Sequence, residues 1–236
     1  MGRRAVITID GPAGAGKSTV GRLLAQSLGY LYLDSGALYR AAAWQASRLG
    51  LDLSDPETLR DFLAGFQPEV SSDARGFHLS VGGRDISGEI RAAWVSREAS
   101  KVAVLPEVRG WVKERLRHLA RNGGVVAEGR DQGSAVFPEA EFKFYLNAAL
   151  ETRAARRRQD WQRDGDPPPL KDIMAELAAR DRRDESRAEA PLRMPAGAIL
   201  IDTTQMEVAE VVRECLARIR APEEPGRLAT RPSKPV

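Results

Sequence analysis

A single cysteine, Cys215, in 236 residues excludes an intrachain disulfide and any metal cluster held by several thiolates. The only histidines, His78 and His118, lie far apart in the chain and cannot by themselves make a His-rich metal site. No apolar run approaches the ~18 residues of a membrane-spanning helix, so no membrane partner is expected. Aromatic residues make up 6% and are scattered, which removes the basic stripe interleaved with aromatics that single-stranded nucleic acid needs. Lysine is scarce, at 6 against 30 arginines, and the 33 acidic residues leave a net charge of only +3. So small an excess does not mark a polyanion binder, and no nucleic-acid partner is expected. The paired Arg3 and Arg4 are not followed by an apolar stretch of the kind that targeting signals carry, so the cytoplasm is the expected compartment.

What is present is an alternation of strand and helix patterns. Ala5–Asp10 is a β-branched apolar run, the pattern of a buried parallel strand. Gly11–Gly16 breaks it, and Lys17–Leu28 places Val20, Leu23, Leu24 and Leu28 at helical spacing, closed by Gly29. A second strand over Tyr30–Leu33 and a helix over Ser35–Leu49 follow. Further core strands are expected at Gly124–Glu128, Glu141–Leu146 and Ala198–Asp202, with helices over Ala99–Arg121, Leu150–Asp164, Leu170–Arg187 and Met206–Ile219. Short strands and turns between about residues 66 and 95 form an antiparallel inset. The expected class is α/β, a five-stranded parallel sheet with helices on both faces. Residues 221–236, rich in Pro, Glu, Gly, Arg and Lys, read as a disordered tail.

Gly11-Pro12-Ala13-Gly14-Ala15-Gly16-Lys17-Ser18 matches G-x-x-x-x-G-K-[ST] in full, between a buried strand and an amphipathic helix. Glycines let the backbone turn its N–H groups toward one point, and the helix that follows adds the partial positive charge of its N-terminus. Lys17 then reaches the β- and γ-phosphates, and the Ser18 hydroxyl suits Mg²⁺. The residues from Gly11 to Thr19 are thus expected to bind a nucleoside triphosphate. The loop alone does not choose among GTPases, motor ATPases and small-molecule kinases. No N-K-x-D guanine motif is present, and the Gly124–Glu128 strand does not end in the Asp-Glu pair usual in motor ATPases.

Three other segments suit a second anion. Asp34-Ser35-Gly36 opens a helix that carries Arg40; the same residues equally suit a capped helix with Arg40 as a solvated charge. Arg130 and Asp131 follow the Gly124–Glu128 strand, where open α/β sheets place ligands, though an ion pair beside a turn would look the same. Arg180, Asp184 and Arg187 fall on one helical face, as a salt-bridged solvated helix also would.

Taken together, these pieces resemble the bacterial cytidylate kinase family, over about residues 4 to 220. The resemblance rests on ITIDGPAGAGKS (Ile7–Ser18), LDSGALYR (Leu33–Arg40), GRDISGEIR (Gly83–Arg91), EGRDQGSAVFP (Glu128–Pro138) and RDRRDESRAEAPL (Arg180–Leu192). It implies ATP-dependent phosphorylation of CMP or dCMP with Mg²⁺, by a monomer whose partners are these small molecules. It implies a kinase core (about 1–35, 99–150 and 190–220), an NMP-binding region (about 36–98) and a helical lid (about 152–170). Ser35, Arg40, Ser100, Arg109, Arg130, Asp131, Arg180, Asp184 and Arg187 would form the CMP pocket. Lys17, Arg130, Arg153, Arg157, Arg180 and Arg187 would act on the transferring phosphoryl group. Two residues depart from the family pattern: Glu128 stands where Asp is frequent, and Gln132 where an apolar residue is usual.

Overall fold

The computed structural model describes residues 4–73, 76–162 and 167–220. β1 (Val6–Asp10) is buried along its whole length, as an uninterrupted run of Val, Ile and Thr ending in Asp requires of a strand covered on both faces. It leads through the glycine loop into α1 (Lys17–Leu28), β2 (Leu31–Asp34) and α2 (Ser35–Arg48). After α3 (Pro56–Gly65), the strands β3 (Glu69–Asp73), β4 (Gly76–Val81) and β5 (Arg84–Asp85) form a three-stranded antiparallel sheet. The helices α4 (Ala93–Val102) and α5 (Pro106–Leu119) return the chain to the core strand β6 (Val125–Glu128). β7 (Phe142–Asn147), α6 (Leu150–Gln162), α7 (Leu170–Ser186), β8 (Ile199–Asp202) and α8 (Val208–Arg220) complete the described chain.

The main sheet runs β2-β6-β1-β7-β8, and every neighbouring pair is parallel. β1 is therefore central, held by β6 on one side and β7 on the other. The chain leaves its C-terminal end at the point where successive connections diverge, which is where open parallel sheets bind ligands. α1 packs on α8, while α2 packs on α4 and α5. α6 and α7 pack on each other, and Ala154, Ile173 and Leu177 close a small second core around Ala13 of the glycine loop.

The expected α/β class and its five core strands are present, with strand ends shifted by about a residue. Three differences have identifiable causes. The helix expected over Ala99–Arg121 is two helices, because Leu105 before Pro106 takes an extended backbone and Pro106 restarts the helix at its first turn. α3 was not expected, although Asp55 caps it by accepting the N–H of Thr58 and Pro56 opens it. α7 stops at Ser186, so Arg187 is extended rather than helical and leaves the face it was expected to share with Arg180 and Asp184. The expectations for residues 163–166 of the Leu150–Asp164 helix and lid, and for the 221–236 tail, fall outside the described residues.

Gly11 is the tightest point between sheet and loop. Its φ is +144°, and a Cβ there would lie 2.0 Å from the carbonyl oxygen of Leu146 in β7. Gly11→Ala is expected to cost on the order of 3 kcal/mol, from backbone strain together with overpacking. Urea unfolding of the variant measures it, and an unchanged midpoint would refute this role for Gly11.

Candidate active site

The glycine loop presents an open anion site. Gly16, at φ 89°, precedes α1 without any side-chain cap, so the first-turn N–H groups of the helix remain available. Gly14 lies against the start of α6, where a Cβ would come within 3.0 Å of the Arg153 Cβ. Lys17 is 5% exposed and its Nζ donates to the Pro12 carbonyl at 2.7 Å. Burial, with Arg130 and Arg180 adding to it against Glu128, pushes the Lys17 ammonium down to about 7. A lysine so disfavoured as a cation regains its charge when a polyphosphate arrives.

Beside the loop, the Ser18 hydroxyl donates to Glu128 Oε1 at 2.6 Å, and the Tyr32 hydroxyl donates to the same oxygen at 3.1 Å. Glu128 is only 5% exposed. Burial and nearby Asp34 raise its pKa, opposed by Lys17 and the Ser18 hydrogen bond. A buried carboxylate beside a hydroxyl is an oxygen-only donor set of the kind Mg²⁺ uses together with substrate phosphates and water. The residues therefore fit Mg²⁺, with Ser18 and Glu128 as the groups that would hold it. No cluster of three or more His, Cys, Asp or Glu among the described residues forms an all-protein metal cage. Glu128 had no role in the sequence reading; its extra methylene lets it reach Ser18 directly.

From the loop a cleft of about 440 Å³ runs toward α2, α4 and α7. Of the residues expected to meet the acceptor, Ser35, Arg40, Ser100, Arg130, Asp131, Arg180, Asp184 and Arg187 all line it. Asp34 caps α2 by accepting the Ala37 N–H and also pairs with Arg40 at 2.9 Å, so the helix is capped and Arg40 is ion-paired on the cleft wall, not a solvated charge. Ser35 donates to the Glu128 carbonyl at 2.9 Å, and Ser100 to the Ser96 carbonyl at 3.1 Å. Arg130 Nε donates to Asp184 at 2.9 Å. Arg187 lies 3.8 Å from Asp131 and 4.0 Å from Asp184, too far for full hydrogen bonds, and its buried NH2 has no hydrogen-bond partner. Arg109 does not line the cleft; it stands behind it, ion-paired with Asp131 and donating to the Ala103 carbonyl at 3.1 Å.

The cleft is electrostatically crowded. Burial and the cation of Arg130 push Arg180 down to about 10, with Arg157 and Arg40 adding and Asp184 opposing. Burial and Arg109 likewise lower Arg187, against Asp131 and Asp184. Asp184 is itself held below its usual range: burial acts upward but is outweighed by Arg130, Arg180 and Arg187. A phosphate relieves every one of these like-charge contacts.

The two expected lid arginines separate. Arg157 lines the cleft, with its guanidinium 4.9 Å from the Trp161 ring. Arg153 is turned away and buried. Its NH1 donates to Asp181 Oδ2 at 2.5 Å and to the Ala13 carbonyl at 3.0 Å, and its Nε to the Ala148 carbonyl at 3.0 Å. Asp181 in turn accepts the Ala13 N–H at 3.4 Å. This corrects the role expected for Arg153: with these donors committed, it clamps the glycine loop from behind and does not reach the cleft. Of the loop residues, Ala13, Gly14, Lys17 and Ser18 line the cleft, whereas Gly11, Pro12, Ala15, Gly16 and Thr19 do not. Asp181 and Tyr32 had no local signal in the sequence, since their partners lie on distant segments.

The family model described as "Cytidylate kinase" matches residues 7–221. A cytidylate kinase from Pelotomaculum thermopropionicum (strain DSM 13744 / JCM 10971 / SI) is 45% identical over 216 residues, 91% of this chain and 96% of that protein. One from Solibacter usitatus (strain Ellin6076) is 40% identical over 227 residues, 95% of this chain and 96% of that protein. A bifunctional pantoate ligase/cytidylate kinase from Synechococcus sp. (strain JA-2-3B'a(2-13)) is 44% identical over 212 residues, 89% of this chain but 39% of that longer protein. With the phosphate loop and a cation-lined cleft beside it, the chain belongs to the cytidylate kinase family.

Proposed function

We infer that the protein transfers the γ-phosphoryl group of ATP to CMP or dCMP, giving ADP and CDP or dCDP. The observation that carries this is one continuous cleft with a triphosphate loop at one end and a second anion site at the other, in a chain of this family. The donor phosphates lie in the loop under Lys17. Ser18 and Glu128 would hold Mg²⁺, which would supply positive charge against the donor phosphates. Arg40, Arg130, Arg180 and Arg187 hold the acceptor phosphate, with Asp131 and Asp184 fixing the arginines and binding the nucleoside. Arg109 and Ser100 set the cytosine end, Arg109 acting through Asp131.

Little covalent chemistry falls to the protein. The attacking phosphate oxygen is already anionic, so no general base is needed. What remains is to align two polyanions and neutralise them. Of the named acceptor residues the NMP-binding region (about 36–98) carries Arg40, and a lid over about residues 152–170 closes over the cleft and excludes water. The same reading places the protein in the cytoplasm as a monomer.

The direct test is ADP formation from ATP with CMP present or absent. Turnover should require an acceptor and favour CMP and dCMP far above AMP and GMP, with UMP weaker; ADP release that ignores CMP would overturn the reading. A second test follows from Lys17, which sits at about 7 in the ligand-free protein. At pH 8 it is largely neutral, and bound phosphates favour its charged form, so ATP binding without divalent cation takes up protons. Calorimetry in two buffers of different ionisation enthalpy reads the uptake. Its absence in the wild type, or its persistence in Lys17→Met, contradicts the assignment.

The two lid arginines give a third test. Arg153→Ala leaves Asp181 buried without its partner and should cost roughly 3–5 kcal/mol of stability. Arg157→Ala should leave stability within ~1 kcal/mol while lowering kcat by about 10³-fold. Equal melting-temperature losses in the two variants would show that the division of roles is mistaken.

A further inference from the structure

We propose that Asp10 is a positioning residue for the acceptor half of the site, tying the strand that ends in the phosphate loop to the segment that carries Arg130 and Asp131. The proposal rests on the division of the cleft into donor and acceptor halves made above. Asp10 is the last residue of β1 and is 0% exposed. Its Oδ1 accepts the N–H of Gln132 and its Oδ2 the N–H of Gly133, each at 2.7 Å. These two N–H groups open a π-helical turn over Gln132–Val136, immediately after Arg130 and Asp131.

The chain comes this close to β1 only because residue 133 is glycine. A Cβ there would lie 2.8 Å from Thr8 Oγ1, 3.0 Å from Pro195 Cγ and 3.3 Å from Asp10 Oδ2. Gln132, also buried, adds a link by donating from its side-chain amide to Asp131 Oδ1 at 3.3 Å.

A carboxylate is a costly way to fill this space. Burial raises Asp10 to about 7, against the two N–H bonds from Gly133 and Gln132. Asp131 adds to the rise and Lys17 opposes it, and Tyr145 on β7 also faces the group. An apolar residue or an amide would avoid the cost of the charge. What only a carboxylate offers here is two acceptor oxygens for two adjacent N–H groups, which fixes the direction of the turn.

The dependence is one-sided. The backbone of β1 is paired with β6 and β7 on its two sides, up to Asp10 opposite Tyr145, so the base of the phosphate loop does not need the Asp10 side chain. The start of the π-helical turn does. Losing the carboxylate therefore loosens Arg130 and Asp131, and reaches the donor loop only through its charge on Lys17, the smallest of the influences on either group.

Asp10→Asn offers one acceptor oxygen and sets an NH2 group against the other N–H. The expected result is a KM for CMP raised about tenfold or more, with KM for ATP changed less than about twofold. Circular dichroism and thermal melting confirm that the variant is folded. If Asn at this buried site prevents folding, Gly133→Ala tests the same junction with Asp10 intact, and the same CMP-selective rise is expected. Equal changes in the two KM values, or no change in either, would overturn the proposal. Failure of the wild-type enzyme to turn over CMP would instead overturn the functional reading on which it rests.

Discussion

Among the described residues, Lys17 and six arginines (Arg40, Arg130, Arg157, Arg180, Arg183 and Arg187) face a single cleft, and the fold must hold them there against their mutual repulsion before any phosphate arrives. Much of the architecture around the site answers this constraint. Asp34, Asp131 and Asp184 sit between the cations, so that Arg40, Arg130 and Arg187 each have a carboxylate within reach. The pairing is incomplete. Lys17 and Arg180 remain disfavoured as cations, and Arg187 keeps a buried donor without a hydrogen bond. The cleft is thus tense electrostatically, and substrate binding gains what the folded chain alone forgoes.

Two buried ion pairs brace the cleft from behind, and of their four residues only Asp131 lines it. Arg109 with Asp131 stiffens the acceptor wall, and Arg153 with Asp181 stiffens the phosphate loop through both backbone groups of Ala13. Buried pairs of this kind contribute little net stability against hydrophobic packing, but they are expensive to break and so fix geometry. Asp10 belongs with them. The site is held from below by β1, from behind by α6 and α7, and from the side by α5.

The parts of this arrangement that were legible in the sequence are the ones with local causes. The glycines before Lys17, the β-branched run before Gly11 and the glycine after α1 each act within a few residues, and the loop and the main sheet could be read from them. The resemblance to a known family supplied the acceptor residues, most of which do line the cleft. The roles of Asp10, Glu128, Arg153 and Asp181 were not legible, because each depends on a partner brought near only by the sheet order or by the packing of α6 and α7. The π-helical turn is of the same kind: it follows from a carboxylate more than a hundred positions earlier. The break at Leu105–Pro106 and the cap at Asp55 were readable from residue type and were missed.

Arg156 extends the hold on α6, donating to Thr203 Oγ1 at 3.0 Å and to its carbonyl at 2.6 Å. With Arg153 it anchors the first two turns of that helix to the core. Any rotation of the rest of α6 therefore has its fulcrum at these residues, with Arg157 immediately beside it. At ~1.5 Å of rise per residue, the end of the helix near Gln162 lies about 9 Å beyond the anchor, and Arg157 under 2 Å. The backbone of Arg157 is thus pinned close to the anchor, while its guanidinium lies against Trp161 in the last turn of the helix.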